Sequence, residues 1–314
     1  MSIPSYPKVA ALGHRSVKDI FNSGQVEVTE KLDGSQFAFG VLDGDLHYRS
    51  KGRQIPVGSV QENDLFYPAT QYVEYLFSLG ALPEGVIFYG ETLAKPKHNT
   101  LAYDRIPKNH IALFSAVDVA TSVWLPYSHM VRTADMLEVD VVQPIFFKMP
   151  PNAEDILAYL EQQPVSMLGG QPMEGVVVKD YSREMLYGGV AMPFMCAKYV
   201  SEKFKEVHQK SWKSENTGKG KWEVFQERYR TEARWMKAVQ HLRERGELTG
   251  TPKDIGPLIF EAQRDIKEEC QQEIMVALWN MYGKDLIRNA TKGLPEWFKE
   301  ELAKGNINVK INRK

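Results

Sequence analysis

The chain has 314 residues, and its 39 Lys and Arg residues nearly balance its 40 Asp and Glu residues, giving a formal net charge of −1. This balance excludes a strong overall attraction to nucleic acid or to an anionic membrane, so any basic surface must be local. Hydrophobic residues make up 43% of the chain and charged residues 25%, which excludes bulk disorder. Two cysteines are too few for a disulfide framework or a cysteine-rich zinc site.

The first residues lack the basic and apolar segments of a signal peptide. No apolar run approaches the roughly 20 residues of a membrane span. We therefore expect a soluble, cytoplasmic protein that does not contact membranes.

Up to about residue 200 the chain predicts strands with some helix. A strand over 25–29 comes first, and a hairpin of 36–42 with 46–50 follows, because apolar residues alternate and Asp43-Gly44 supplies the turn. Further strands are predicted over 86–89, 111–119 and 175–179. Helices are predicted over 70–79 and over 153–162, where Asn152 can serve as the cap.

Beyond about residue 221 the apolar residues recur at helical spacing. One series runs from Trp222 to Leu242, and a second steps by four from Ala262 to Leu278. The stretch 211–220 is polar and contains glycine, which is typical of a linker. We predict an α+β domain over 1–210, a linker over 211–220 and a small all-helical domain over 221–314.

The sharpest chemical signal is the string Glu30-Lys31-Leu32-Asp33-Gly34, in which a strand runs into a lysine and a turn-forming Asp-Gly follows. Taken alone, this string is more typical of a charged strand end before a turn. Four further strings follow it in order and contribute Glu91, Asp118, the pair Glu174 and Lys179, and Lys198.

Together, and in this order, these strings resemble the motifs of the covalent nucleotidyltransferases, the class of polynucleotide ligases and messenger-RNA capping enzymes. The resemblance covers about residues 5–205. It implies a nucleotidyltransferase (adenylation) domain of antiparallel sheets with flanking helices. It also implies that Lys31 attacks the α-phosphorus of a nucleoside triphosphate.

An amine can attack only when neutral, although the ordinary pKa of lysine is about 10.4. Nearby cations and desolvation must lower that pKa, and Lys179, Lys198 and a divalent metal are the candidates. The same charges would neutralise phosphoryl oxygens in the transition state. We therefore expect Lys31, Lys179 and Lys198 to be the catalytic residues.

The carboxylates have the opposite task. Glu174 and Glu91 are expected to hold Mg²⁺ or Mn²⁺, because hard divalent cations take oxygen ligands. The resemblance further implies that Glu91 contacts the ribose and places Glu30 in the nucleotide site. We expect Asp33 and Gly34 to form a tight turn that lets Lys31 project. The apolar run that begins at Val176 is expected to floor the adenine pocket.

A helical region after the last motif resembles the phage RNA ligase 2 family, whereas capping enzymes and DNA ligases usually carry an oligonucleotide-binding barrel there. This resemblance implies an ATP-dependent RNA ligase that joins 3′-OH and 5′-phosphate ends of RNA through lysyl-AMP. It further leads us to expect a phage-encoded monomer that acts in RNA repair. The alternatives are a DNA or mixed RNA/DNA ligase, a capping guanylyltransferase, and a non-catalytic nucleic-acid-binding protein on a decayed ligase fold.

Removing the chain after residue 211 is expected to impair sealing more than self-adenylylation.

Several positions depart from the family pattern. Gln36 replaces an Asn on the phosphate side, and Lys51 replaces an Arg, a role that Arg53 could take. Val117 replaces the aromatic residue that stacks on adenine, and strand alternation predicts that Phe114 faces the other way. Cys196 replaces one of two lysines in the last motif. The segment 95–103, which contains His98, resembles one in phage ligases, and its role does not follow from the residues.

A local basic segment lies between Lys198 and Lys221, with seven lysines, three glutamates and Trp212. Basic residues with an aromatic suit a nucleic-acid backbone. A solvated linker explains the segment equally well.

Overall fold

The structure is a computed structural model that describes residues 2–147, 151–200 and 221–307. The chain divides into two compact units, Met1–Arg264 and Asp265–Lys314. The predicted linker over 211–220, and with it most of the basic segment around Trp212, lies outside the described residues. The proposed domain boundary therefore stays a prediction.

Strands dominate the described residues up to 200 and helices those from 221 to 307, which confirms the α+β prediction. The strands are β1 Ala10–Ala11, β2 Glu27–Lys31, β3 Ser35–Leu42, β4 Asp45–Ser50, β5 Gln54–Ile55, β6 Val86–Thr92, β7 Ile111–Asp118, β8 Val123–Trp124, β9 Asp140–Val141, β10 Gly175–Asp180, β11 Met185–Tyr187, β12 Val190–Met192 and β13 Met195–Val200. The helices are α1 Tyr67–Ser78, α2 Tyr127–Met136, α3 Ala153–Glu161, α4 Lys221–Glu227, α5 Glu232–Glu244, α6 Ile255–Ala290 and α7 Leu294–Ala303. No described helix is both long and apolar enough to cross a bilayer.

Besides a two-stranded sheet of β11 and β12, the first unit contains two mainly antiparallel sheets. The smaller has the order β1-β13-β10-β2, and the larger has the order β5-β4-β3-β6-β7-β8, with β9 also paired to β7. The predicted hairpin is confirmed as β3 and β4, and both turn residues, Asp43 and Gly44, have positive φ angles of 55° and 80°. Asp-Gly tolerates this conformation, which matches the twist of the flanking strands.

Each of these two sheets buries one face against helices. In the larger sheet, Phe37, Phe39 and Val41 pack with residues of α1 and α2. In the smaller sheet, Val28 and Val176 pack with residues of α3. Since side chains alternate along a strand, the neighbouring residues of β2 and β10 lie on the opposite face, away from that core.

The predicted helix over 153–162 is confirmed as α3, and its start has the predicted cap. The Asn152 side chain accepts a hydrogen bond from the Asp155 amide at 3.0 Å, and the Asp155 carboxylate accepts one from the Asn152 amide at 3.0 Å. This reciprocal pair satisfies two backbone donors that an uncapped helix would leave unpaired. Helix α1 begins three residues before its predicted start, with Pro68 in its first turn, where the missing amide costs nothing.

Replacing the cap tests this account. We expect Asn152→Ala to lower the free energy of unfolding by about 1 kcal/mol, because the Asp155 amide loses its acceptor. Asn152→Ser, which keeps a capping oxygen, should recover most of the loss. Urea unfolding of the three proteins measures the difference, and equal stabilities of the Ala and Ser variants would contradict the capping role.

Candidate active site

Lys31 is the last residue of β2, and its ammonium group is paired with a carboxylate from the neighbouring strand. The register of β2 with β10 sets Lys31 opposite Gly175, so Glu174 immediately precedes the paired residue. Lys31 Nζ donates a hydrogen bond to Glu174 Oε2 at 2.6 Å. The Lys31 side chain is 28% exposed and that of Glu174 only 8%, so the pair sits at a sheltered but reachable strand end.

Two carboxylates hold the proton on Lys31. Burial lowers the pKa of Lys31, but the negative charges of Glu174 and Glu91 outweigh burial and raise that pKa above its ordinary value. A reactive neutral amine therefore requires a cation that competes with Lys31 for these carboxylates.

Lys179 is not that cation, contrary to the prediction from its motif. In the register it lies opposite Glu27, four residues along β2 from Lys31, a separation of about 13 Å at the rise of a strand. Its side chain is 1% exposed, and Nζ donates to Glu27 Oε1 at 3.0 Å and to the Phe114 carbonyl at 2.6 Å. Lys179 thus joins the two sheets instead of facing Lys31.

Lys198 lies nearer to the reactive pair. It is opposite Val177 in the β10–β13 register, and its charge lowers the pKa of Glu174, against the larger raising effect of burial. The structure therefore brings Lys31, Glu174 and Lys198 together.

Glu91 and Gln36 approach the site from the larger sheet, where they are directly paired between β6 and β3. Burial raises the pKa of Glu91 to about 8, and the charge of Lys31 opposes the shift. Among the residues that the structure describes, no three acidic, His or Cys side chains form a metal site. Two carboxylates, Glu91 and Glu174, nevertheless suit Mg²⁺ or Mn²⁺, since Mg²⁺ is commonly held by one or two carboxylates together with substrate phosphates.

The turn 33–35 after Lys31 is clamped by the loop 94–103, whose role was not evident from the residues alone. Asp33 Oδ2 accepts hydrogen bonds from the Thr100 and Leu101 amides, both at 2.7 Å. The Asp33 amide donates to the Tyr103 hydroxyl at 2.9 Å. The loop thereby fixes the carboxylate and the backbone of the residue that follows the reactive strand end.

Gly34 is required here for space and not for backbone freedom, because its φ is not positive. A Cβ atom at this position would lie 2.7 Å from Glu91 Cγ and 2.7 Å from the Thr92 carbonyl oxygen. The absence of a side chain lets β6 approach the turn closely, which brings Glu91 toward Lys31.

Ser35 connects the turn to His98. The Ala94 amide donates to His98 Nδ1 at 3.1 Å, so Nε2 carries the proton and donates to Ser35 Oγ at 3.0 Å. Burial lowers the pKa of His98 to about 4, which keeps the ring neutral.

Helix α5 also reaches the turn, and nothing in its sequence indicated this. Gln240 Nε2 donates to the Gly34 carbonyl at 3.1 Å and to Glu244 Oε1 at 2.8 Å. The residue Glu244 is only 3% exposed. Its charge raises the pKa of Glu91 further. In the sequence, Gln240 and Glu244 are typical of the polar face of an amphipathic helix. Their i, i+4 spacing is the one sequence feature which indicates that the two side chains are neighbours.

Lys51 and Arg53 lie against the same helix. Arg53 Nε donates to the Glu244 carbonyl at 3.4 Å, at the carboxyl end of α5. Lys51 is exposed, and its charge acts on Glu244. Arg53 is therefore engaged by the helix end, where a cation is favourable.

A bulge changes the expected position of the aromatic residue. The β6–β7 register shifts between Tyr89 and Gly90, so Phe114 has no direct partner, and strict alternation fails there. Phe114 packs against the same cluster as Val117. Its ring centroid lies 5.8 Å from Lys179 Nζ, on the side of the smaller sheet. The prediction that Phe114 faces away from Val117 was wrong for this reason.

Val176 and Glu30 lie on the face opposite Lys31. Val176 is fully buried in the core with α3, whereas Val177 is half-buried on the face of Lys31. Glu30 Oε2 accepts from the Met167 amide at 2.8 Å. Its Oε1 is buried without a hydrogen-bond partner among the described residues, and burial raises the pKa of Glu30 to about 7.

The steric role of Gly34 leads to a direct test. Gly34→Ala should reduce the free energy of unfolding and separate β6 from the turn, because backbone and side-chain atoms already occupy the Cβ position. Gly256→Ala, at an open helical position, is the matched control and should leave stability equal or slightly higher. Equal unfolding curves for the two variants would contradict the close approach.

The buried lysine gives a second test. Lys179→Met should cost about 3–5 kcal/mol of stability, because Glu27 keeps a charge without its partner. Adding Glu27→Leu removes that charge and should recover a large part of the loss. Urea unfolding of both variants measures this, and a double variant no more stable than Lys179→Met would contradict the pairing.

Solved structures and a family of known proteins resemble this chain. A structure of Naegleria gruberi RNA ligase with PPi matches with a TM-score of 0.50 and 19% identity, over 66% of this chain and 58% of that one. A mutant of the same ligase with AMP and Mn matches with a TM-score of 0.49 and 20% identity, over 66% and 60% of the two chains. The match thus spans about three fifths of the ligase. No functionally curated protein matches by sequence. The RNA ligase family matches residues 24–200, more than half of the chain, and the chain belongs to that family.

Proposed function

We propose that this protein is an ATP-dependent RNA ligase that joins a 3′-OH end to a 5′-phosphate end. The observation that carries the proposal is the Lys31–Glu174 pair, in which a half-buried amine at a strand end is held by a carboxylate at 2.6 Å. The carboxylates keep Lys31 protonated, so a cation that competes with Lys31 for them controls when the amine becomes neutral and able to attack.

The proposed chemistry has three steps. Lys31 Nζ loses its proton and attacks the α-phosphorus of ATP, forming a P–N bond as pyrophosphate leaves. The 5′-phosphate of an RNA strand then attacks the same phosphorus and releases Lys31. Finally, a 3′-hydroxyl attacks the activated 5′-phosphate, and AMP leaves with the electrons of the broken bond. Covalent capture thus divides one difficult transfer into easier ones.

Glu174 and Glu91 are the residues that we assign to the divalent metal. A bound Mg²⁺ or Mn²⁺ supplies charge that weakens the hold of these carboxylates on the Lys31 proton and that neutralises phosphoryl oxygens. Lys198, whose charge already acts on Glu174, is the protein cation placed to assist at the phosphate. Lys179 has no part in this proposal, because it pairs with Glu27.

For the base, the observations favour Phe114 and Val177 over Val117 and Val176. Phe114 lies at a bulge on the side of the smaller sheet, and Val177 is on the face of Lys31. An aromatic ring and an aliphatic side chain suit the two faces of a purine. Gln36, next to Glu91, remains our candidate on the phosphate side.

Intact mass spectrometry after incubation with Mg²⁺ and ATP tests the proposal. We expect an AMP adduct on the native protein and none on Lys31→Ala, because no other amine occupies the position opposite Gly175. Treatment with pyrophosphate beforehand should remove AMP from any lysine already charged. Gln263→Ala, an exposed helical substitution, is the control and should form the adduct normally.

An adduct that survives in Lys31→Ala would contradict the assignment, and an adduct formed from GTP instead would indicate capping chemistry.

Substrate choice requires a second measurement, in which RNA and DNA strands of one sequence with 5′-phosphate and 3′-OH ends are offered. We expect faster sealing of RNA.

A further inference from the structure

The carbonyl oxygen of Gly34 receives hydrogen bonds from two separate parts of the chain. Asn99 Nδ2, in the loop 94–103, donates at 2.7 Å, and Gln240 Nε2, in helix α5, donates at 3.1 Å. Gly34 is buried and follows Lys31 by three residues. A buried carbonyl without a donor is costly, so these two amides jointly determine where this peptide can lie.

Helix α5 holds the next residue of the turn as well. Glu244 Oε1 accepts from Gln240 at 2.8 Å, and a hydrogen bond from Ser35 lowers the pKa of Glu244 against the larger raising effect of burial. His98 Nε2 donates to the same Ser35 hydroxyl. The turn is therefore held between the loop on one side, through Asn99 and His98, and the helix on the other, through Gln240.

The helix itself is fixed in place. Ser50 Oγ and Arg53 Nε donate to the Glu244 carbonyl at 3.3 and 3.4 Å. Gly246, just after the helix, has a positive φ of 67°, and a Cβ there would lie 2.5 Å from Arg53 Nη2. Such a left-handed glycine ends the helix and allows the Arg53 guanidinium to pack against it. Gln240 is thus presented to the turn by an anchored element.

We propose that Gln240 and Glu244 are positioning residues for the adenylylation of Lys31, acting through the Gly34 peptide and Ser35. The inference rests on the proposed function and extends it, because it makes a helix beyond the last motif part of the machinery of the first step. The sequence alone leads us to expect that loss of the region after residue 211 impairs sealing more than self-adenylylation. Displacement of a reacting group by about 1 Å can cost on the order of 10²-fold in rate, so a turn three residues from the nucleophile matters.

A double-mutant cycle in the full chain tests the shared carbonyl. Asn99→Ala and Gln240→Ala each leave Gly34 with one donor, whereas the double variant leaves it with neither. The measured quantity is the single-turnover rate constant of AMP-adduct formation at saturating ATP. We expect about 3- to 10-fold losses for the single variants and a loss at least about tenfold beyond their product for the double variant.

Gln263→Ala combined with Asn99→Ala is the matched control, since Gln263 is exposed on a neighbouring helix. Here the losses should multiply without excess. Glu244→Gln provides a second readout: it keeps the shape but directs a donor at Ser35 or Gln240, so we expect a slower rate constant with an ATP KM within about threefold of native.

Losses that simply multiply for Asn99→Ala and Gln240→Ala would overturn the inference and leave the proposed function standing. So would losses that merely follow the folded fraction of each variant in thermal unfolding. Absence of any adduct on the pyrophosphate-treated native protein would overturn both proposals together. Excess loss in the double variant, with native unfolding curves for the single variants, would establish the positioning role.

Discussion

The contact between Lys31 and Glu174 depends on the register of two antiparallel strands. Lys31 lies opposite Gly175, and a slip of one residue would turn it toward the face where Val28 and Val176 pack against α3. That face has no place for an ammonium group, since every side chain of a strand changes face when the register shifts by one. The apolar core behind the sheet therefore determines the position of the amine in front of it.

The carboxylates near Lys31 differ in the groups that already contact them. Asp33 accepts two backbone amides, and Glu244 accepts from Gln240, so the fold itself already uses these groups. Glu174, by contrast, faces the reactive amine directly. Desolvation makes such a pair sensitive to any further charge, because interactions are stronger where water is excluded. In our proposal, a divalent cation binds the negative Glu174 and a phosphate lies near the positive Lys31.

Features with a local cause were predictable from the sequence, whereas the positions of residues that depend on strand register and bulges were not. The Asp43-Gly44 hairpin and the Asn152 cap were predictable because turn and cap chemistry act within four residues. The motif that contains Lys179 predicts that this residue lies at the site. In the structure Lys179 lies opposite Glu27, about 13 Å along the strand from Lys31. Phe114 was assigned to the wrong side because a bulge leaves no clear mark on the residues around it.

The motif residues, the hairpins and the alternation of strands and helices could be read from the chain, because each reflects short-range conformational preference and side-chain periodicity. Tertiary structure alone decided which polar groups meet. Gln240 and Gly34 are 206 residues apart in sequence, and Thr100 and Asp33 are 67 apart. Contacts at such separation depend on how whole elements pack. A glutamine on a helix surface has the same local pattern whether it faces water or holds the turn beside the nucleophile.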